Sequence, residues 1–217
     1  MSIEAKKTEL LYKVVVVGDP NVGKTSFLRK LTTGEFSINE KRTLGVDYRM
    51  KTLVVNNTEV NIQFWDIAGD SAYGSLTKIF YRNTSGAFVV FDVTDQATFE
   101  NVKRWKQDLD EKTDSPKIPV ILIGNKSDKP LEIGIDLNQY AQKNGFNGVF
   151  LVSAKTGAKI DDSVFSLVQE ILKNSDAAIH QIMINNDDPD ANSKNSQSRK
   201  NFVDLKDRKS KNKRNCC

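Results

Sequence analysis

Residues Gly18-Asp19-Pro20-Asn21-Val22-Gly23-Lys24-Thr25 fit the spacing G-x-x-x-x-G-K-[ST], which can cradle phosphate. The two glycines let the backbone curl with its N–H groups pointing inward. Those amides and the N-terminus of a following helix form an anion nest. In such a turn Gly18, Asn21, Val22, Gly23, Lys24, Thr25 and Ser26 would surround the phosphates. Lys24 would reach the β- and γ-phosphates, and the Thr25 hydroxyl would bind Mg²⁺. The plain alternative is a glycine-rich turn that binds nothing. The context argues against it, because the β-branched run Val14 to Val17 enters the turn and a helix with Phe27, Leu28 and Leu31 on one face leaves it.

Three further stretches gain meaning beside this one. Asp66-Ile67-Ala68-Gly69 ends an apolar run. A carboxylate at a strand's C-terminal edge can hold Mg²⁺ through water, and the Gly69 N–H could sense a γ-phosphate. Alone, D-x-x-G is an ordinary turn. Asn125-Lys126-Ser127-Asp128 follows the strand-like Val120 to Ile123, at the strand end where open α/β sheets bind ligands. Asp128 can accept from both the ring N1–H and the 2-amino group of guanine. Adenine offers neither donor, and a site built to pair polar groups rejects the analogue lacking them by ~10⁴-fold. Asn125 could tie this loop to the phosphate turn, and the Lys126 stem could cover the base. Ser153-Ala154-Lys155 would supply a backbone N–H to guanine O6. The four stretches occur in order, each at a strand end.

The elements that must position them alternate between apolar runs and helical spacing, which predicts an α/β fold with a mostly parallel six-stranded sheet flanked by helices. Gly34 to Leu44 is polar and reads as an exposed loop. Tyr48 to Val55 and Thr58 to Asp66 read as strands joined at Asn56-Asn57, a hairpin signal. Ser71 to Arg82 reads as loop and short helix, Gly86 to Asp92 as a buried strand, and Thr98 to Asp110 as one helix with Phe99, Val102, Trp105 and Leu109 inward. Leu137 to Asn144 is helical in pattern, Val149 to Val152 is the last strand, and Ile160 to about Met183 is the last helix.

With 217 residues, 38% hydrophobic and 28% charged, the chain suits one domain with a polar extension. The longest apolar runs, such as Ala87 to Phe91, are too short to span a bilayer, and the N-terminus lacks an apolar leader core. The only cysteines are Cys216 and Cys217, so no disulfide framework is expected, which favours the cytosol. The whole net charge of +4 falls after Ile184, where nine Lys/Arg face five Asp/Glu. It gives no reason to expect a nucleic-acid groove on the domain. Expected divisions are an N-terminal extension over 1–10, a nucleotide-binding domain over 11–184 and a disordered tail over 185–217. Lys206 to Arg214 carries six basic residues and one acid before Cys216-Cys217. One lipid chain anchors marginally, whereas two, or one with a basic patch, anchor stably. A solvated tail with incidental cysteines is the alternative.

Taken together these motifs resemble the Ras-superfamily small GTPases, and within them the Rab family. The likeness covers about residues 10–180 and the C-terminal dicysteine. Its Rab-like parts are Leu44-Gly45-Val46-Asp47-Tyr48, Phe64-Trp65-Asp66, Phe80-Tyr81-Arg82 and Cys216-Cys217. Ile67, where most Rabs carry Thr, resembles the branch linked to lysosome-related organelles. The resemblance implies a GTP/GDP switch in vesicle trafficking that uses Mg²⁺. It implies that Thr43 binds Mg²⁺ and γ-phosphate in a first switch, Gly34 to Leu44, and that Gly69 to Arg82 is the second. Phe36 would pack edge-on against guanine, and Tyr48, Trp65 and Phe80 would form the patch that effectors read. It also implies an exchange factor, a GTPase-activating protein, a GDP-dissociation inhibitor, and an escort protein and transferase that prenylate Cys216 and Cys217. The protein would be a monomer on the cytoplasmic face of an intracellular, endolysosomal membrane, with a cytosolic pool.

Two single residues, Asp70 and Pro20, depart from the family pattern, as does Ser71-Ala72-Tyr73, where the family carries a Glu-Arg-Phe-like run that effectors and exchange factors contact. Asp70 stands where a Gln normally orients the attacking water. Asp is shorter, lacks an N–H donor, and is anionic beside phosphate. Two unit charges ~4 Å apart repel by about 4 kcal/mol at an effective dielectric of ~20. Asp70 therefore swings outward or takes a proton, and intrinsic hydrolysis is predicted to be slower than the family's. Its action as a general base is the rival idea. Pro20, where Gly or Ser is usual, has no N–H for phosphate and crowds an incoming arginine finger. A GTP-held recruitment scaffold with negligible turnover is thus the second reading. A P-loop kinase or ATPase is a third, disfavoured by Asn125 to Asp128.

Overall fold

The run Val14 to Val17 needs cover on both faces, and the fold supplies it. In the computed structural model, strand β1 (Leu10–Gly18) lies near the middle of a six-stranded sheet of order β2-β3-β1-β4-β5-β6. The other strands are β2 (Val46–Val55), β3 (Thr58–Ile67), β4 (Gly86–Asp92), β5 (Val120–Asn125) and β6 (Gly148–Leu151). The structure describes residues 10–55, 58–69, 77–115 and 117–186. All pairings are parallel except β2 with β3, which is antiparallel. The β2–β3 register closes with Val55 opposite Thr58, the spacing of a hairpin; Asn56 and Asn57 themselves lie outside the described residues.

Side-chain alternation sends neighbouring valines to opposite cores. Val14 and Val16 pack with helix α1 (Lys24–Thr33) through Phe27, Leu28 and Leu31, and with helix α6 (Ile160–Asn186) through Val164, Leu167, Val168 and Ile171. Val15 and Val17 face the other layer. There short helices α3 (Gln96–Glu100) and α5 (Leu137–Lys143) and helix α4 (Val102–Lys112) contribute Phe99, Leu137, Val102, Trp105 and Leu109. Every residue of β4 and β5 is buried, as expected of parallel strands covered on both faces. A one-turn helix α2 (Thr77–Phe80) precedes β4.

The sequence predicts one helix over Thr98 to Asp110, but the chain forms two. The break falls at Asn101, which keeps helical angles (φ −75°, ψ −11°) but whose side chain reaches away to Asp19. Asp95 starts α3 by accepting from the Ala97 N–H, and Asp136 caps α5 by accepting from the Asn138 and Gln139 N–H groups. Gly34 to Leu44 forms no helix or strand, as expected. The last helix runs to Asn186, slightly beyond the expected end. The unit of sheet and helices ends at Leu172, and the described part of the second unit is the remainder of α6, Lys173 to Asn186. Among the described residues no helix is long and apolar enough to cross a membrane.

Chain order explains where a ligand would sit. From β1 the chain turns to one side to make β2 and β3, then crosses to the other side for β4. Such a reversal opens a crevice at the carboxyl ends of the strands, where the Gly18 to Thr25 turn lies. Because both apolar layers bear on the sheet, Leu109→Ala should lower unfolding free energy by about 2–5 kcal/mol in chemical denaturation, through lost burial plus a cavity.

Candidate nucleotide-binding site

The turn after β1 is built by close approach. Gly18 has φ +144°, and a Cβ there would lie 2.1 Å from the Val90 carbonyl oxygen on β4. Gly23, at φ +92°, has no room for a side chain either: a Cβ would sit 2.4 Å from Asn125 Nδ2. Lys24 is buried, and its Nζ donates to the carbonyls of Gly18 (2.8 Å) and Asp19 (2.9 Å). Burial pushes its pKa down to about 8, against the pull of Asp66 and Asp19. A cation held inward on neutral carbonyls suits a multiply charged anion. Gly69, after β3, packs directly on the turn, since a Cβ there would meet the Asp19 carbonyl carbon, the Gly18 oxygen and the Pro20 nitrogen at 2.5 Å.

Three sequence-predicted metal ligands from α1, the first exposed loop and β3 converge. Both the Thr25 and Thr43 hydroxyls reach Asp66 Oδ2, at 2.5 and 3.1 Å, and lie 2.8 Å from each other. Asp66 is 1% exposed, and its Oδ1 is buried with no hydrogen-bond partner. Burial raises its pKa, although the Thr25 hydrogen bond and the Lys24 charge oppose that. An orphaned buried carboxylate oxygen beside two hydroxyls is a hard oxygen donor set, which fits Mg²⁺. Among the described residues no cluster of three His, Cys, Asp or Glu side chains could hold a metal alone. An ion here would complete its coordination with oxygens from outside the protein, water included.

The opposite end of the cleft hangs on Asn125. Its Nδ2 donates to the Val22 carbonyl (2.8 Å), and its Oδ1 accepts from the Ala154 N–H (3.1 Å). One amide thus joins the ends of β1, β5 and β6. Ser153 is buried and does not line the cleft; its hydroxyl donates to Asp128 Oδ1 at 2.6 Å and so orients that carboxylate. Lys155 Nζ stands 4.0 Å from Asp128 Oδ2. Lys126, at φ +67°, pairs with Asp92 Oδ2 at 2.5 Å. Burial would raise the Asp92 pKa, but hydrogen bonds from Lys126 and Thr94 hold it below the usual range. Asp92 was not singled out from sequence; the Asp-x-Thr spacing at the end of β4 is the only local hint.

The resulting cleft has a volume of about 420 Å³. Pro20, Asn21, Gly23 to Ser26, Phe36, Thr43, Gly69, Asn125, Lys126, Asp128, Ala154 and Lys155 line it. Gly18, Val22, Asp66 and Ser153 stand behind that lining as backbone or support. Of the expected aromatic patch, Tyr48 is 61% exposed with its ring 6.5 Å from Trp65. Trp65 and Phe80 are half-buried on the α4 side, and Lys13 Nζ lies 3.9 Å over the Trp65 ring. Asp70, Ser71 to Tyr73, Cys216 and Cys217 lie outside the described residues.

Comparison with known proteins agrees with this geometry. Residues 13–173 match the Ras family. The chain is 43% identical over 177 residues to Ras-related protein Rab-32A of Dictyostelium discoideum, covering 76% of this chain and 80% of that one. It is 40% identical to Ras-related protein Rab-7L1 of Rattus norvegicus (76% and 84% covered) and 39% identical to Ras-related protein Rab-32 of Homo sapiens (76% and 77% covered). The strand-end motifs, the fold and these relatives lead to one conclusion: the chain belongs to the Rab family of Ras-superfamily small GTPases, which bind GTP and GDP with Mg²⁺ and act with regulators and effectors in vesicle trafficking.

Proposed function

We propose that this protein is a membrane-anchored GTP/GDP switch whose intrinsic hydrolysis is unusually slow, and that the cleft residues divide the work as follows. The amides of Asn21 to Ser26, with Gly18 permitting the turn, hold the phosphates, and Lys24 binds the β- and γ-phosphate oxygens. Thr25, Thr43 and Asp66 hold Mg²⁺, which when bound would neutralise charge on the phosphates. The observation that carries this reading is the Thr25–Thr43–Asp66 cluster with its unpaired buried Asp66 Oδ1. Thr43 and Gly69 order on a γ-phosphate and relax without it. Asp128, Ala154 and Lys155 read guanine, oriented by Ser153; Lys126 and Phe36 flank the base.

Hydrolysis needs an oriented water, and the residue following Gly69 is the one placed by sequence to orient it. Asp70 offers no N–H and repels the phosphate. Pro20 lines the cleft beside Gly69 and leaves little room for an inserted arginine. That favours, as a second reading, a recruitment scaffold held in the GTP state. The G domain spans 11–184 between an N-terminal extension and the 185–217 tail. Effectors engage the switches and Tyr48, Trp65 and Phe80. An exchange factor, an activating protein and a GDP-dissociation inhibitor act on the cycle. An escort protein and transferase lipidate Cys216 and Cys217, which place the protein on the cytoplasmic face of an endolysosomal membrane.

Three measurements test these parts. In single-turnover hydrolysis with Mg²⁺, Asp70→Gln should be several-fold faster than the native protein; equal rates would show that another group positions water. Asn125→Ala removes the amide that joins three strand ends, so fluorescent GDP should leave about 10- to 100-fold faster. Protein expressed in eukaryotic cells should partition to the membrane fraction, and Cys216→Ser with Cys217→Ser should move it to the soluble fraction.

A further inference from the structure

Asp19 belongs to the phosphate turn, yet its side chain takes no part in lining the cleft. It is buried and points to the α3–α4 junction. Oδ2 accepts from Asn101 Nδ2 (2.7 Å), and Oδ1 accepts from Trp105 Nε1 (2.8 Å) and an Arg104 guanidinium nitrogen (3.3 Å). The Arg104 guanidinium also lies 5.2 Å from the Trp105 ring centroid. Three donors on one buried carboxylate replace its lost hydration with charge-assisted hydrogen bonds.

The backbone of the same residue touches the chemistry. The Asp19 carbonyl accepts from Lys24 Nζ, and Gly69 packs on its carbonyl carbon. Little else in this stretch can move. Gly18 is pressed against β4, Pro20 has a fixed φ, and a residue preceding proline is kept out of the helical region. Where the side chain of Asp19 is held, its carbonyl is held too.

We propose that Asn101 and Trp105 are positioning residues for the bound nucleotide: by gripping the Asp19 carboxylate they fix the carbonyl that aims Lys24 and the peptide on which Gly69 rests. Arg104, whose side chain is 60% exposed, makes this grip reachable from the α4 surface. The inference rests on the nucleotide site proposed above. Tight GDP binding by the native protein tests that site, and a ratio of release rates tests the grip.

The experiment follows release of fluorescent GDP from the full chain with Mg²⁺. Trp105→Phe keeps an aromatic ring but removes the indole N–H together with part of the ring volume, and an Asp19→Ala background separates the two losses; Asn101→Ala removes the amide. Each should speed release about tenfold, the scale of losing one hydrogen bond to a charged acceptor. Exposed Arg104→Gln, which cannot disturb the core, should speed release about threefold. All three effects should vanish in an Asp19→Ala background, where no carboxylate remains to grip. Unchanged release in the three single variants would overturn the proposal. So would acceleration that persists in the Asp19→Ala background, because the substitutions would then act by loosening α4 as a whole.

Discussion

The site depends on a lysine ammonium kept inside the protein by carbonyl oxygens of its own turn. Lys24 cannot stay there unless the turn is rigid, because a buried cation gains nothing from loosely placed dipoles. Rigidity comes from contact on every side: β4 against Gly18, Asn125 against Gly23, Gly69 against the 18–20 backbone, and α4 against the Asp19 side chain. Each of these contacts comes from a different part of the chain: β4, the end of β5, the segment after β3 and the α3–α4 stretch. The turn is therefore only as well formed as the whole domain.

That dependence explains the division between support and display. Val22, Asp66, Ser153 and Asp19 are buried and hold others in place, while Thr43, Phe36 and Gly69 face the cleft from segments with no regular structure. The buried residues form the floor of the cleft and the cleft-facing ones its walls. The Thr43 hydroxyl joins wall to floor through Asp66.

Two departures from the family pattern lie next to one contact along the chain, that of Gly69 on the phosphate turn. Pro20 stiffens the turn at the point where Gly69 packs on it, and Asp70 follows Gly69 directly. At the other end of the cleft Asn125 bonds to Val22 and Ala154, and Ser153 donates to Asp128.

The sequence by itself determined the strand order of motifs, the α/β class and most of the cleft lining. Those properties are local: a β-branched run, a glycine at a required positive φ and a carboxylate at a strand end announce themselves by type and spacing. The break at Asn101, the grip on Asp19 and the Lys126–Asp92 pair were decided only by tertiary structure. Asn101 sits within an unbroken helical pattern, and its partner Asp19 is 82 residues away. Asp92 and Lys126 meet because β4 and β5 happen to be neighbours. Periodicity reports which face of an element is buried. It does not report which polar side chains will be buried together, because that depends on how separate elements are brought side by side.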